Sequence, residues 1–469
     1  MVLRKILAVL AIAKRECILN EKYLEIFNYK FSIHSIEFFK HTIDHSFGVN
    51  NSSQIKKMTR DLLELSMHES ILDKRFAIKA IPIEDRRPAE LSSIMKPHPL
   101  SYMELPFDPE YSLYNNRMTP ERLNNVTDDE QYWAVRQKVV LRNTGEFPVE
   151  ISGPEAEKFV NWVFAREVSR VKVGRCAYNF VLYHHGGMIT DGVMLRLAED
   201  RFWMAQADGE LTKWYMAHAH EFDVMISDPN VWVSQVQGPR SMDVLRDVID
   251  GDFPDPWRYF DIATVLIAGE EVIITRTGFS NELGWEFYLR PKNDAEKVGN
   301  CIWEVGQRHG MILTGTPVFR ARRIEAGLMS QAEFDSTTTP FDAGLGHFVK
   351  LDRSDFIGKA AVEKADKRSR TYGMRVRRGI AERGRTISVD GKKVGQVCSS
   401  TWSPYQECGV ALVRMDHSEN GPGTEVEVTG IDGKTYSAQL CSLPMYDEEG
   451  SIVRGKNTTI PDGPQPWNG

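Results

Sequence analysis

Two stretches carry side chains with chemistry to offer. Gly174-Arg175-Cys176-Ala177-Tyr178 precedes Gly186-Gly187-Met188-Ile189-Thr190-Asp191. A glycine pair between apolar runs reads as a hairpin, which would place Tyr178 and Asp191 on paired strands and on one pocket wall. A carboxylate beside a phenol can hold or pass a proton; the same pattern also serves as a purely structural turn. The second stretch, Thr277-Gly278-Phe279-Ser280-Asn281-Glu282-Leu283-Gly284-Trp285-Glu286, follows an apolar run at 272–275. It is either a loop entering an edge strand with solvated acids, or a carboxylate displayed against an aromatic wall. In the second form the carboxylate accepts two parallel N–H bonds from a flat heterocycle whose amino group adjoins a ring N–H.

Two further constellations are punctuated by glycine. One runs from Arg322-Arg323-Ile324-Glu325-Ala326-Gly327 through Thr339-Pro340-Phe341 to Phe356-Ile357-Gly358-Lys359. The other runs from Gly391 through Val394-Gly395-Gln396-Val397 to Ser399-Ser400-Thr401-Trp402-Ser403-Pro404. No metal site is expected: His218 and His220 fall in a helical stretch, where i and i+2 do not share a face. His184-His185 at the expected turn read as solvated, with proton donation as the alternative. The absence of a strand-borne Gly-x-Gly-x-x-Gly argues against a fused flavin or nicotinamide domain.

The elements that must hold these residues are of two kinds. Val149-Glu150-Ile151 alternates like a strand, Ser152-Gly153-Pro154 follows, and 155–164 has apolar residues at helical spacing, with Ser152 as the expected N-cap. The layout recurs at 233–237, Gly238-Pro239 and a helix carrying Met242, Leu245, Val248 and Ile249. Two such units predict two α/β subdomains of related construction. After Arg370, short alternating runs are divided by Asp390-Gly391, Asn420-Gly421 and Asp432-Gly433, the pattern of a small all-β barrel or sandwich. The expected division is an N-terminal extension over 1–95, helical or poorly ordered, two interleaved α/β subdomains over 96–368, and a β domain over 369–469.

Composition narrows the function. With 42% apolar and 26% charged residues among 469, the chain is globular rather than disordered. A net charge of −7 disfavours nucleic-acid binding, which needs a basic surface. The 6 cysteines include no C-x-x-C pair and read as reduced thiols in the cytoplasm. The apolar run at 6–13 is about half of what a membrane span requires, and the charged residues after it do not resemble a signal-peptide cleavage site.

In this order and over roughly 110–445, the four motifs resemble the folate-dependent aminomethyltransferase family. That family includes the glycine-cleavage T-protein, the folate domain of dimethylglycine oxidase, the dimethylsulfoniopropionate (DMSP) demethylases and bacterial aryl-ether O-demethylases. The resemblance implies an α+β, three-domain cloverleaf around a central tetrahydrofolate pocket. It makes Asp191 and Tyr178 the catalytic pair, and Glu286, with Phe279, Glu282 and Trp402, the folate-binding set. It leaves Tyr114, Trp203, Trp232 and Trp285 to line the substrate pocket. The DMSP demethylase branch is nearest, through Tyr111-Ser112-Leu113-Tyr114-Asn115-Asn116-Arg117-Met118, 149–154, and Phe202-Trp203 followed by Ala207-Asp208. Thr190 and Ser330-Gln331 depart from the T-protein pattern and count against glycine cleavage. Arg323-Ile324-Glu325-Ala326 stands where the iron–sulfur-assembly paralogues carry Lys-Gly-Cys-Tyr. The expected reaction is methyl transfer from a small donor, a DMSP-like sulfonium or a relative of it, to N5 of tetrahydrofolate. Aryl methyl ether demethylation and aminomethyl transfer are the alternatives. The expected partners are the donor and tetrahydrofolate, with no nucleic acid or membrane, in a monomer or homodimer.

Overall fold

Strands rich in Val, Ile, Phe and Tyr assemble into two large sheets, one small hairpin sheet and one barrel. The structure, a computed structural model, describes residues 95–207 and 211–468. The extension expected over 1–95 falls, but for its last residue, outside the described residues. The first large sheet has five strands in the order Arg175–Leu182, Met188–Ala198, Arg201–Gln206, Phe147–Ser152, Met225–Ser227. The second has seven, in the order Ile249–Asp250, Ile262–Ile267, Glu270–Thr275, Gly284–Leu289, Trp232–Gln237, Val139–Thr144, Met311–Leu313. In the seven-stranded sheet only the last two strands run parallel.

Side chains alternate along a strand, so each sheet has two faces to bury. Helices Ala156–Val163 and Leu211–His218 cover one face of the five-stranded sheet, with Phe159, Val163 and Tyr215 packed on Val149, Ile151, Phe202 and Met204. Helices Ser241–Val248 and Ala295–Arg308 cover one face of the seven-stranded sheet, with Leu245 and Ile302 packed on Leu141, Val236, Trp285 and Phe287. The remaining faces meet each other. Cys176, Leu195, Trp203 and Ala205 from the first sheet join Val233, Ile273 and Tyr288 from the second in one buried cluster. The order through this part of the molecule is helix, sheet, sheet, helix.

The repeated strand–Gly-Pro–helix layout is present in both sheets. Gly153 and Gly238 adopt nearly the same left-handed backbone, φ 129° and 127°. At each, a Cβ would press on a backbone carbonyl, that of Asp223 at 2.7 Å and that of Lys138 at 2.6 Å. This turn corrects one expectation. Ser152 does not cap the helix; it ends the strand, and the helix starts at Ala156 behind Glu155, whose side chain makes no cap bond.

The C-terminal strands close into a six-stranded barrel between Thr371 and Cys441, so the barrel-or-sandwich alternative resolves as a barrel. Asp390 and Gly391, at φ 49° and 72°, supply the left-handed pair that a two-residue hairpin needs. Helix Thr316–Ala326 joins barrel to sheet: Ile324 packs with Val410 and Leu412, while Val318 and Phe319 pack with Tyr132 and Val140. Among the described residues, no helix is long and apolar enough to cross a membrane.

Candidate functional site

The Glu286 side chain is placed by strand period and register. All six residues of Gly284–Leu289 are buried. Alternation sends Trp285, Phe287 and Leu289 toward the helices and Glu286 and Tyr288 toward the facing sheet. Across the strands, Glu286 is in register with Gln235 on one side and Thr275 on the other, and Gln235 with Arg142. A polar row therefore crosses an otherwise apolar face. Gln235 Nε2 donates to Glu286 Oε1 at 2.8 Å, Thr277 Oγ1 donates to Oε2 at 2.5 Å, and the Tyr288 hydroxyl reaches Oε2 at 3.4 Å. Burial holds the Glu286 carboxyl above its ordinary pKa, with the Thr277 and Tyr288 hydroxyls pulling the other way.

Asp191 stands on the opposing sheet. It shares its strand face with Val193 and Leu195, which pack in the cluster that holds Tyr288. Tyr178, in register with Val193, donates its hydroxyl to Asp191 Oδ2 at 2.7 Å. Asp191 is 5% exposed. Burial pushes its pKa up to about 6, and the Tyr178 donation restrains the rise. Burial and the adjacent carboxylate push the Tyr178 phenol well above its ordinary value, so it stays protonated and acts as a fixed donor. The turn ahead of Asp191 is pinned: Met188 N–H bonds the Thr338 carbonyl at 2.9 Å, and a Cβ on Gly187 would collide with the Ser336 carbonyl oxygen.

The two glycine-punctuated motifs meet behind this site. The consecutive arginines of helix Thr316–Ala326 each reach a glutamate that also holds a barrel serine. Arg323 pairs with Glu333 at 3.0 Å and donates to Ser399 at 2.7 Å, while Ser399 donates to Glu333. Arg322 pairs with Glu325, to which Ser403 donates at 2.5 Å. Asp191 feels the first pair, with Glu333 raising its pKa and Arg323 lowering it.

Of the other expected residues, some converge and some do not. Trp203 lies in the inter-sheet layer with its ring 6.0 Å from that of Tyr288, but it is wholly buried and its indole N–H is spent on Glu150 at 2.7 Å. Tyr114 packs over Gly145, next to Glu146. Phe279 packs with Val140 and Phe319 beside the polar row. Glu282 is not free for a ligand: it pairs with Arg136 at 2.5 Å and Arg322 at 2.8 Å, all three buried. Trp285 and Trp232 face the helix side of the sheet. Trp285 packs against Trp257, and Trp232 against His98 and under the Arg117 guanidinium. The pleat that aims Glu286 inward aims its neighbour Trp285 outward. Trp402 is on the barrel, 39% exposed, alternating with Ser403 and so pointing away from Glu325.

Three residues around Glu286 escaped sequence reasoning: Tyr288, Gln235, and Glu146, whose Oε1 lies 3.3 Å from Gln235 Nε2. Tyr288 was within reach, two positions beyond Glu286 on the same strand face. Gln235 and Glu146 needed the register of three strands, which no local pattern carries.

The chain also matches known proteins. Residues 99–353 match the family model described as the GCVT N-terminal domain, and 370–447 match the glycine cleavage T-protein C-terminal barrel domain. The chain is 32% identical over 370 residues to trimethylamine-oxide aldolase of Ruegeria pomeroyi, covering 73% of this chain but only 46% of that one. It is 30% identical over 332 residues to the dimethylsulfoniopropionate demethylase DmdA of the same organism, covering 69% and 90%. It is 30% identical over 313 residues to an aminomethyltransferase of Clostridium botulinum, covering 64% and 84%. The crystal structure of the glycine cleavage aminomethyltransferase T from Bartonella henselae superimposes with a TM-score of 0.68 at 22% identity, over 76% of this chain and 99% of that one, so the fold is shared. These relatives are enzymes, and the family uses tetrahydrofolate as cosubstrate. The chain belongs to the glycine cleavage T-protein family.

Proposed function

We propose that this protein moves a one-carbon group, in the first place a methyl, from a small methylated donor to N5 of tetrahydrofolate. One observation carries the reading: the Tyr178–Asp191 pair and the Glu286–Gln235 pair stand on the facing inner surfaces of two sheets. The residues present fit a reduced pteridine. Gln235 Oε1 is buried with no hydrogen-bond donor among the described residues, and it lies in a group of carboxyl and amide oxygens. An edge rich in N–H groups supplies the donors this group lacks.

Bound tetrahydrofolate supplies N5 as the nucleophile. Glu286 and Gln235 hold the ring edge and fix its plane. Asp191, mostly ionised at neutral pH, stabilises the positive charge that builds as N5 gains carbon. Tyr178 fixes that carboxylate in orientation and charge. Holding two reactants in line can supply ~7–11 kcal/mol of the barrier. The donor class is a methylated cation such as a sulfonium or quaternary ammonium, for which Tyr114 and Phe279 offer aromatic faces. Two relatives favour this class by name, a dimethylsulfoniopropionate demethylase and a trimethylamine-oxide aldolase.

Aminomethyl transfer is the second reading. Thr190, whose lack of a carboxylate counted against it, alternates with Asp191 and faces a cavity of about 400 Å3 lined by Tyr183, Trp214 and Gln331. An acid at that position would not face Glu286, so its absence weighs little. The test is a mass spectrum of the folate pool after incubation with dimethylsulfoniopropionate, trimethylamine N-oxide, vanillate or an aminomethylated lipoyl carrier. A 5-methyl product supports demethylation, and a 5,10-methylene product formed from the aminomethylated carrier supports the second reading. Glu286→Ala with unchanged folate affinity would overturn the pteridine assignment.

A further inference from the structure

Glu146 follows the strand Val139–Thr144 and enters the polar row only through Gln235. The single nitrogen Gln235 Nε2 lies 2.8 Å from Glu286 Oε1 and 3.3 Å from Glu146 Oε1, one amide hydrogen for each carboxyl. Among the described residues no cation forms an ion pair with either. The two guanidiniums that approach act on Glu146 by charge without forming an ion pair with it, and their hydrogen bonds go to neutral oxygens. Arg142 donates to Thr316 Oγ1 at 3.2 Å and lies over the Phe319 ring. Arg117 donates to the Glu146 and Val231 carbonyls, both at 2.7 Å. The other ionisable groups facing the pair are Tyr288 on the Glu286 strand, Cys176 on the opposing sheet and Tyr259 on the loop before Ile262–Ile267, and burial keeps all three protonated. Burial and the Glu286 charge raise the Glu146 pKa and outweigh both guanidiniums, which pull it down; two buried carboxyls drawn to one neutral amide and bridged by neither guanidinium do not both ionise near neutrality.

We propose that Glu146 and Glu286 share one proton while the site is free of folate, that binding of the folate ring edge drives this proton into solvent, and that Glu146 is therefore the residue that ties folate affinity to pH. Both carboxylates then accept N–H bonds from the ring, alongside the orphaned Gln235 oxygen. Burial and the Glu286 charge, in that order, hold Glu146 above its ordinary pKa, consistent with this role. The inference rests on the folate reading above.

The test is calorimetric binding of tetrahydrofolate under argon, in buffers of different ionisation enthalpy, across pH 6.5 to 8.5. In the wild-type protein, binding releases about one proton near pH 7, and affinity rises about tenfold per pH unit before levelling at mildly alkaline pH. Asp191 titrates lower, at about 6, and Asp191→Asn keeps the slope. Glu146→Gln keeps the shape and removes the acid: affinity becomes flat within about twofold and proton release disappears. Glu146→Asp retains both. A flat wild-type profile, or an unchanged slope in Glu146→Gln, overturns the proposal while leaving the folate reading intact. Failure of the wild type to bind tetrahydrofolate at any pH overturns that reading and the proposal together.

Discussion

Replacing Tyr178 by Phe removes one oxygen and leaves the ring, which remains packed 6.2 Å from Phe180 and 5.4 Å from Phe348 between centres. The loss is the 2.7 Å donation to Asp191 Oδ2. A hydrogen bond to a charged group contributes ~1.5–3 kcal/mol, and one pKa unit corresponds to ~1.4 kcal/mol. The Asp191 pKa therefore rises by about one to two units from its wild-type position of about 6. Mostly ionised at pH 7 in the wild type, Asp191 becomes half to mostly protonated in the variant. The assay is kcat/KM for the one-carbon donor at saturating tetrahydrofolate from pH 5 to 9.5. The acid limb moves up by the same one to two units, the rate at pH 7 falls about two- to tenfold, and the alkaline plateau is retained. An unmoved limb would refute the claim that Tyr178 works through Asp191. An equal loss at every pH would mean that the phenol touches the reactants instead.

Three further outcomes are expected. Because burial raises the folded-state pKa of Asp191 to about 6, the native state binds this proton more tightly than the unfolded chain, and stability falls as pH rises from about 4 to 6. Asp191→Asn escapes that loss; urea unfolding at pH 7.5 should show it more stable than wild type by on the order of 2 kcal/mol, with the difference vanishing near pH 4. Glu282→Gln leaves the buried guanidiniums of Arg136 and Arg322 short of a counter-charge and should lower stability by about 3–5 kcal/mol, while tetrahydrofolate affinity of the folded protein stays unchanged. A loss of affinity without a loss of stability would restore Glu282 to the ligand site. Gly187→Ala must push the turn away from the Ser336 carbonyl; steady-state kinetics should show kcat reduced at least tenfold, an effect contradicted by near-normal turnover.

What could be read from the sequence was local. The Gly-Pro turn after a strand is set by neighbours, and both copies were visible; so was Asp390-Gly391, whose backbone only such residues adopt readily. Tyr178 and Asp191 were legible because a glycine-paired hairpin fixes which residues face each other. Where the reading of the aromatics failed, the fault was one of face. Trp285 was grouped with Glu286 by adjacency, although a period of two separates adjacent residues once the strand is buried on both sides. Glu282 was misread for a different reason. Its partners Arg136 and Arg322 come from distant helices, and such a pairing leaves no trace in the spacing of either segment. Gln235 and Glu146 were lost in the same way, since their meeting with Glu286 depends on strand order.

The two halves of the site belong to different sheets, and no covalent or polar link described above joins Asp191 to Glu286. The layer between the sheets that carry Asp191 and Glu286 is hydrocarbon and sulfur: Cys176, Leu195, Ala205, Ile273 and the flat sides of Trp203 and Tyr288. On the function proposed above, the spacing of the two polar pairs is thus written in methyl groups, and trimming one of them would alter the reach of one-carbon transfer while every polar contact stays in place, a fine adjustment that leaves the acid and amide groups untouched.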